Sequence, residues 1–268
     1  IIVTRYQDQT IEVQDFGRGC PVDYNNTEKR YNWELVYCEL YAGGKYDAEG
    51  DTYAYSLGLN GLGLCATQFA SEFMDVEIFR DGFRYNLHFE HGNNVGGLKK
   101  EPTTQKKTGT RTRWKPDLDV FTDIQIPDEF FHDILRRQAI VNPNLLFTYR
   151  SQSEDGSFSV REFRYENGIT DYVQEIVGDK AMTSIQHWQC EKKGRDRADK
   201  PEYKVRINVA LTFSNQIKLT EFYHNSSFLE HGGSPERAVR QAFVSQIDSY
   251  LKQNSKYLKN ESKITYPD

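Results

Sequence analysis

The chain has 268 residues, 37% hydrophobic, 13% aromatic and 27% charged, with a net charge of −5. That is enough apolar material for one large domain or two ordinary ones, and the charges are too dispersed to suggest disorder. The acidic balance argues against a protein that coats nucleic acid indiscriminately, and no run of about 18 apolar residues offers a membrane span.

Ile1–Tyr6 and Thr10–Gln14 read as two strands around Gln7-Asp8-Gln9, the outline of a hairpin. A glycine-bearing loop follows at Asp15–Pro21, then a helical period over Trp33–Tyr41 that stops at Ala42-Gly43-Gly44. Tyr46–Leu59 is rich in Gly, Asp and Tyr, the composition of a mobile loop rather than a packed element. A short helix is predicted over Cys65–Phe73, and Met74–Phe79 with Phe83–Phe89 flank Arg80-Asp81-Gly82 as a second hairpin. Thr108–Trp114 and Leu145–Arg150 read as strands, with a helix over Pro127–Ile140 between them.

The character changes near Gly178. Gln189–Pro201 is charged and turn-rich. Tyr203, Val205, Ile207, Val209, Leu211 and Phe213 then alternate with polar residues, which predicts a strand with one buried face. Gln216–Tyr223 is expected to pair with it. Pro235–Lys252 carries Val239, Ala242, Phe243, Ile247, Tyr250 and Leu251 on one helical stripe. The expectation is two α+β domains, 1–179 and 180–268.

Ile1 opens directly into a strand with no signal-peptide features, and the absence of an initiator Met suggests a piece of a longer protein. Cys20, Cys38, Cys65 and Cys190 form no Cys-x-x-Cys pair and no zinc spacing, the pattern of reduced cytoplasmic thiols.

Three glycine motifs carry the chemistry. In Asp15-Phe16-Gly17-Arg18-Gly19-Cys20-Pro21 a carboxylate after a strand can accept a hydrogen bond from an exocyclic amine, and side-chain-free glycines let a flat ring approach. Such turns are also common without function. Leu57-Gly58-Leu59-Asn60-Gly61-Leu62-Gly63 runs from a loop into a helix, and its backbone N–H groups make an anion cradle. It matches neither a Rossmann fingerprint nor a Walker A loop. Ala42-Gly43-Gly44-Lys45 places a cation beside a flexible turn, and Lys107-Thr108-Gly109-Thr110 precedes a strand; each could equally be an ordinary turn.

The order of these motifs along one chain resembles the GHKL ATPases. Tyr41-Ala42-Gly43-Gly44-Lys45, Glu90-His91-Gly92, and Phe222-Tyr223-His224-Asn225 leading to His231-Gly232-Gly233-Ser234 are similar to the gyrase B and topoisomerase IV branch. The resemblance covers essentially the whole chain. It implies an α+β fold: a two-layer GHKL (Bergerat) ATP-binding domain followed by a transducer domain like ribosomal protein S5.

Carried over by motif, the resemblance implies that Asp15 binds the adenine amine, with Thr110 supporting the same carboxylate and water site. Gly17 and Gly19, with Arg18 and Pro21 in the same loop, border the base. Lys45 faces the terminal phosphates. Tyr53, Leu59, Asn60, Gly61, Leu62 and Gly63 belong to the ATP lid, with Gly61 and Gly63 nearest the phosphates. The implied cofactors are ATP and Mg²⁺. The implied partners are double-stranded DNA, a gyrase A or topoisomerase IV A-type subunit, and a second copy on ATP binding.

This sequence departs from the family pattern at Leu57, where a second Gly is usual, at Asn60, where a His is usual, and at Asn86, where an Arg before Glu-His-Gly is common. The family's general-base Glu and magnesium-binding Asn are expected upstream of Ile1, and its transducer Lys past Asp268. The chain itself is therefore expected to bind ATP without efficient hydrolysis. The alternative is a GHKL-fold module that has lost turnover.

Three other features are set aside. His88 and His91 stand three apart in a strand, which points them to opposite faces and disfavours a shared metal. The run Lys192–Lys200 could touch DNA, but Asp196 and Asp199 dilute it and a solvated loop is the favoured reading. Ser, His and Asp occur without a nucleophile-elbow context. In the second domain, Arg237 and Arg240 lie on one side of the last helix, away from its apolar stripe; they are DNA-facing candidates in the intact parent, and a plain solvated face diluted by Glu236 and Asp248 is the equal alternative.

Overall fold

The apolar residues at the start of the chain build their sheet with strands from far along the sequence. The structure, a computed structural model, describes residues 1–42, 61–195, 197–199, 202–261 and 263–266. β1 (Ile2–Arg5) and β2 (Ile11–Gln14) form the expected antiparallel pair. A small pair, β3 (Tyr24–Asn25) and β4 (Arg30–Tyr31), leads into α1 (Asn32–Cys38). α2 (Gly63–Phe69) passes through Ala70 into β5 (Ser71–Arg80), which pairs with β6 (Phe83–Glu90). The turn between them holds Asp81 at φ 54° and Gly82 at φ 78°, the positive angles that a tight two-residue hairpin requires.

β7 (Asn93–Asn94), β8 (Lys99–Pro102) and β9 (Gly109–Pro116) precede α3 (Asp128–Val141). β10 (Phe147–Gln152), β11 (Phe158–Phe163) and α4 (Ile169–Val177) follow. The main sheet runs in the order β11-β10-β1-β2-β9-β5-β6-β7, with β8 also on β6. Only β1 and β10 run parallel among the described strands.

Register divides this sheet into two unlike faces. Val3, Val13, Thr112, Val76 and Leu87 stand opposite one another across five strands, and therefore share a face. The next row, Glu12, Arg113, Asp75 and His88, points the other way. The first face is covered by helices. Trp33 and Tyr37 of α1 pack on Met74, Val76, Ile78, Tyr85, Leu87 and Phe89, while Leu135, Ala139 and Ile140 of α3 pack on Val3, Phe147 and Tyr149. Each large side chain so buried contributes roughly 1.5–3 kcal/mol. The fold is α+β in two layers, with one charged sheet face turned outward.

Beyond α4 the chain forms β12 (Gln186–Gly194) and β13 (Tyr203–Leu211), an antiparallel pair, then the short pair β14 (Tyr223–His224) and β15 (Ser227–Phe228), and finally α5 (Gly233–Gln253). Side chains tie this region back to the helical layer. Gln138 Nε2 donates to Ser226 O at 2.9 Å, Arg137 lies 4.0 Å from the Phe228 ring centre, and Tyr172 O–H donates to Glu221 at 3.1 Å.

Several sequence expectations are corrected. α1 stops at Cys38 rather than Tyr41, because Glu39 is extended (φ −122°) and its carboxylate holds Arg30 of β4 at 2.6 Å. Residues 71–73 are strand, not helix, because pairing with β9 and β6 claims Ser71 and Phe73. β11 and α4 were not anticipated. Much of the turn-rich stretch from Gln189 is strand β12, and it is β12, not Gln216–Tyr223, that pairs with β13. The apolar face of β13 is uncovered, with Ile207 39% exposed, and no residue of α5 is buried. Tyr46–Leu59 lies outside the described residues.

Candidate functional site

At the end of β2 the chain leaves the sheet at Asp15, whose N–H still donates to Thr110 O of β9 at 2.9 Å. The Asp15 carboxylate then folds back, Oδ1 accepting the Gly17 N–H at 2.7 Å, a local Asx turn. Gly19 has φ 80°, and a β-carbon there would lie 2.8 Å from Phe79 O, so only glycine passes.

The second strand of contact comes from ninety residues away. Thr108 Oγ1 donates to Gly17 O at 2.6 Å, and Cys20 N–H donates to Thr110 Oγ1 at 2.9 Å. Between them Gly109, at φ 147°, crosses so tightly that a β-carbon would meet Asp15 O. The structure thus brings Asp15, Gly17, Gly19 and Thr110 into one interlocked loop pair. Asp15 Oδ1 is committed to Gly17, and its second oxygen is left to accept a donor from outside. Arg18 and Phe16 are exposed on the same loop, and Pro21 is half-buried.

Beneath the loop lie Cys20 and the fully buried Tyr37. Burial pushes the Cys20 thiol up to about 12 and the Tyr37 phenol well above its usual 10. Both stay neutral near neutral pH, so Cys20 is no nucleophile.

Arg80, at the end of β5, was not singled out from the sequence. Its Nη1 donates to Gly19 O at 3.2 Å, and its Nε to Asp81 at 3.1 Å, so it braces the loop from the side. The only signal for it was its place before the Asp81-Gly82 turn. Asn86, where the family commonly has an Arg, sits in register with Glu77 and Lys99 on the charged face.

Gly61 has φ 59° and turns the chain into α2, which starts at Gly63 after Leu62. Gly63 has open space beside it, and the first amides of the helix have no carbonyl partner within it. Lys45, Tyr53, Leu59 and Asn60 lie outside the described residues, as does Leu57.

The two histidines set aside as a metal pair have separate carboxylates. His88 Nδ1 meets Asp75 at 2.7 Å, and His91 Nδ1 meets Asp117 at 2.7 Å. No cluster of three or more His, Cys, Asp or Glu among the described residues could hold a metal. On α5, Arg237 is exposed, but Arg240 is not free as expected: it pairs with Glu236 and lies 4.2 Å from the Tyr266 ring centre. No helix among the described residues is long and apolar enough to cross a membrane.

Comparison with known proteins places this geometry. The family model for DNA gyrase B matches residues 168–268. The DNA gyrase B subunit of Thermotoga maritima is 29% identical over 263 residues, 98% of this chain and 40% of that protein. The DNA topoisomerase 4 B subunit of Salmonella typhimurium is 33% identical over 176 residues, 65% of this chain and 27% of that protein. The crystal structure of the 43K ATPase domain of Thermus thermophilus gyrase B, in complex with an aminocoumarin, superposes with a TM-score of 0.67 at 21% identity, covering 97% of this chain and 64% of that one. This chain thus spans well under half the length of the gyrase and topoisomerase proteins it matches. By sequence and by its α+β fold, the chain is a relative of the B subunits of DNA gyrase and topoisomerase IV, alike over nearly its whole length.

Proposed function

We propose that the chain is the ATP-binding and transducer portion of the B subunit of a type II DNA topoisomerase, coupling ATP binding and hydrolysis to DNA strand passage. The observation that carries the reading is the interlock of the Asp15–Cys20 loop with Thr108–Thr110, in a chain related to those proteins nearly end to end. An adenine would lie against the glycines and donate its amine to the free Asp15 oxygen, with Thr110 holding the Asp15 and Cys20 amides of the loop and Arg80 bracing Gly19. Gly61, Leu62 and Gly63 would offer amides to the phosphates.

In this reading residues 1–179 form the nucleotide domain and 180–268 the transducer. Lys45, Tyr53, Leu59 and Asn60 complete the phosphate side. Double-stranded DNA, an A-type subunit and a second copy of the chain are the partners, and the setting is cytoplasmic. ATP would carry Mg²⁺ as its counter-ion, held mainly by its own phosphates, since no group of three or more His, Cys, Asp or Glu among the described residues is placed to hold a metal. The chain alone would bind rather than turn over ATP, because Asp15, the carboxylate of the loop, is spent on Gly17 and the base. Calorimetric titration with a non-hydrolysable ATP analogue tests the reading. Saturable binding that competes with an aminocoumarin supports it, and the absence of binding at millimolar analogue overturns it.

A further inference from the structure

α2 carries the Gly61–Gly63 turn at one end. Its other end is held to the sheet by contacts that the nucleotide reading leaves unused. Asp117, 8% exposed just past β9, donates its N–H to Ala70 O at 3.1 Å. Its Oδ1 accepts the Asp119 N–H at 2.8 Å, and its Oδ2 meets His91 Nδ1 at 2.7 Å. His91 in turn donates its N–H to Glu72 O at 3.1 Å, just beyond the helix. Gly92, at φ 84°, presses on the last residue of α2: a β-carbon there would lie 2.7 Å from Phe69 Cδ1. The His91-Gly92 turn and Asp117 thus grip Phe69, Ala70 and Glu72 from two sides.

The geometry points to a latch: His91 and Asp117 are positioning residues that fasten α2 to the sheet in their imidazolium–carboxylate form, and so set the position of the Gly61–Gly63 turn. This rests on the reading of that turn as a phosphate cradle. α2 is a rod of about 10 Å, at 1.5 Å per residue, so loosening one end displaces the other. An imidazolium–carboxylate hydrogen bond is roughly twice as strong as its neutral counterpart.

The groups facing His91 all favour its charged form. Asp117 is the closest, with Asp119 and Glu72 behind it; Glu72 is shared with Lys115 at 3.0 Å, and Glu90 is engaged by His88 at 3.1 Å. α2 brings only the buried Cys65. The hydrogen bond to Asp117 raises the His91 pKa above the ordinary 6.5, and the Asp119 amide followed by His91 lowers that of Asp117 below 3.8. For the histidine, the folded value lies above the unfolded one, so the latch is fully present below 6.5 and is lost as pH rises through the raised value.

The test is hydrogen exchange on the whole chain, following the α2 amides Thr67 to Phe69 from about pH 6 to about pH 9 with intrinsic rates corrected. His91→Asn is the comparison, because asparagine tolerates the positive φ and offers an amide donor that does not titrate. In the parent chain, α2 opening should rise roughly two- to five-fold across this range, the scale of an exposed ion pair. In His91→Asn it should be flat. Equal and parallel opening in both overturns the latch. Affinity for a non-hydrolysable ATP analogue should fall with pH in step, in the parent only. Absent analogue binding with the α2 response intact sinks the nucleotide reading and leaves the latch; binding with one shared, flat profile sinks the latch and leaves the reading.

Discussion

Gly109 passes so close to Asp15 that a β-carbon on it would lie 2.2 Å from the Asp15 carbonyl oxygen. Two loops separated by some ninety residues of chain are therefore built as one object, and the glycine is what lets them cross. Gly109→Ala should destabilise the protein by about 1–3 kcal/mol, since the backbone is also held at φ 147°. Gly156→Ala, at φ 82° with nothing within 4 Å, is the control for strain without a clash. Denaturant melts giving the two variants equal loss would mean that the crossing relaxes at no cost.

Asp15 should decide nucleotide affinity. Asp15→Ala removes the acceptor for the base amine, a loss of about 1.5–3 kcal/mol for a charge-assisted bond. It also frees the Gly17 N–H. Asp15→Asn keeps that local cap through its amide oxygen and should lose affinity while melting like the parent. Titration calorimetry with unchanged affinity in both variants would remove Asp15 from the site.

Turnover by this chain alone should be negligible. Phosphate release should match a protein-free control, because in the proposed site both Asp15 oxygens are taken, one by the Gly17 N–H and the other by the base amine. Steady release that disappears in Asp15→Asn would reveal another residue acting as the base.

Gln68 sits at 0% exposure in α2, and neither its Nε2 nor its Oε1 finds a hydrogen-bond partner among the described residues. An unsatisfied buried amide costs about 1–3 kcal/mol, so Gln68→Leu, of similar volume, should raise the melting midpoint. A lower midpoint would mean that the amide is satisfied in solution.

On α5, Arg237 and Arg240 should differ in their contribution to DNA contact. Both are exposed, but Arg240 is also engaged by Glu236 and Tyr266. In a full-length parent, Arg237→Ala should flatten the salt dependence of DNA-stimulated ATP hydrolysis by a slope of roughly one, and Arg240→Ala by less. An unchanged slope in the double variant would place this helix face away from DNA.

Local order alone carried much of the fold. Strand composition and flanking turns located β1, β2, β5, β6, β9 and β10 to within a few residues, alternation located β13, and helical spacing located α3 and α5, because each of these stretches carries its own local pattern. β11 was missed because Ser159, Val160, Arg161 and Glu162 are all exposed at the sheet edge, which leaves no apolar alternation to read. The limits of α1 and α2 were overrun because an ion pair at Glu39 and strand pairing at Ser71 end them, and neither is visible in helical spacing.

The sequence by itself determined which residues could do chemistry: an Asp followed by glycines after a strand, and a Thr-Gly-Thr before one. Those are statements about backbone freedom and donor type, which residue identity specifies directly. Only the tertiary structure decided that the two motifs lock together through Gly109, that Arg80 braces the loop from the end of β5, and that Asp117 and His91 hold the far end of α2. Each of these depends on strand register, and register is set by the packing of a whole sheet face against α1 and α3 rather than by any stretch of the chain on its own.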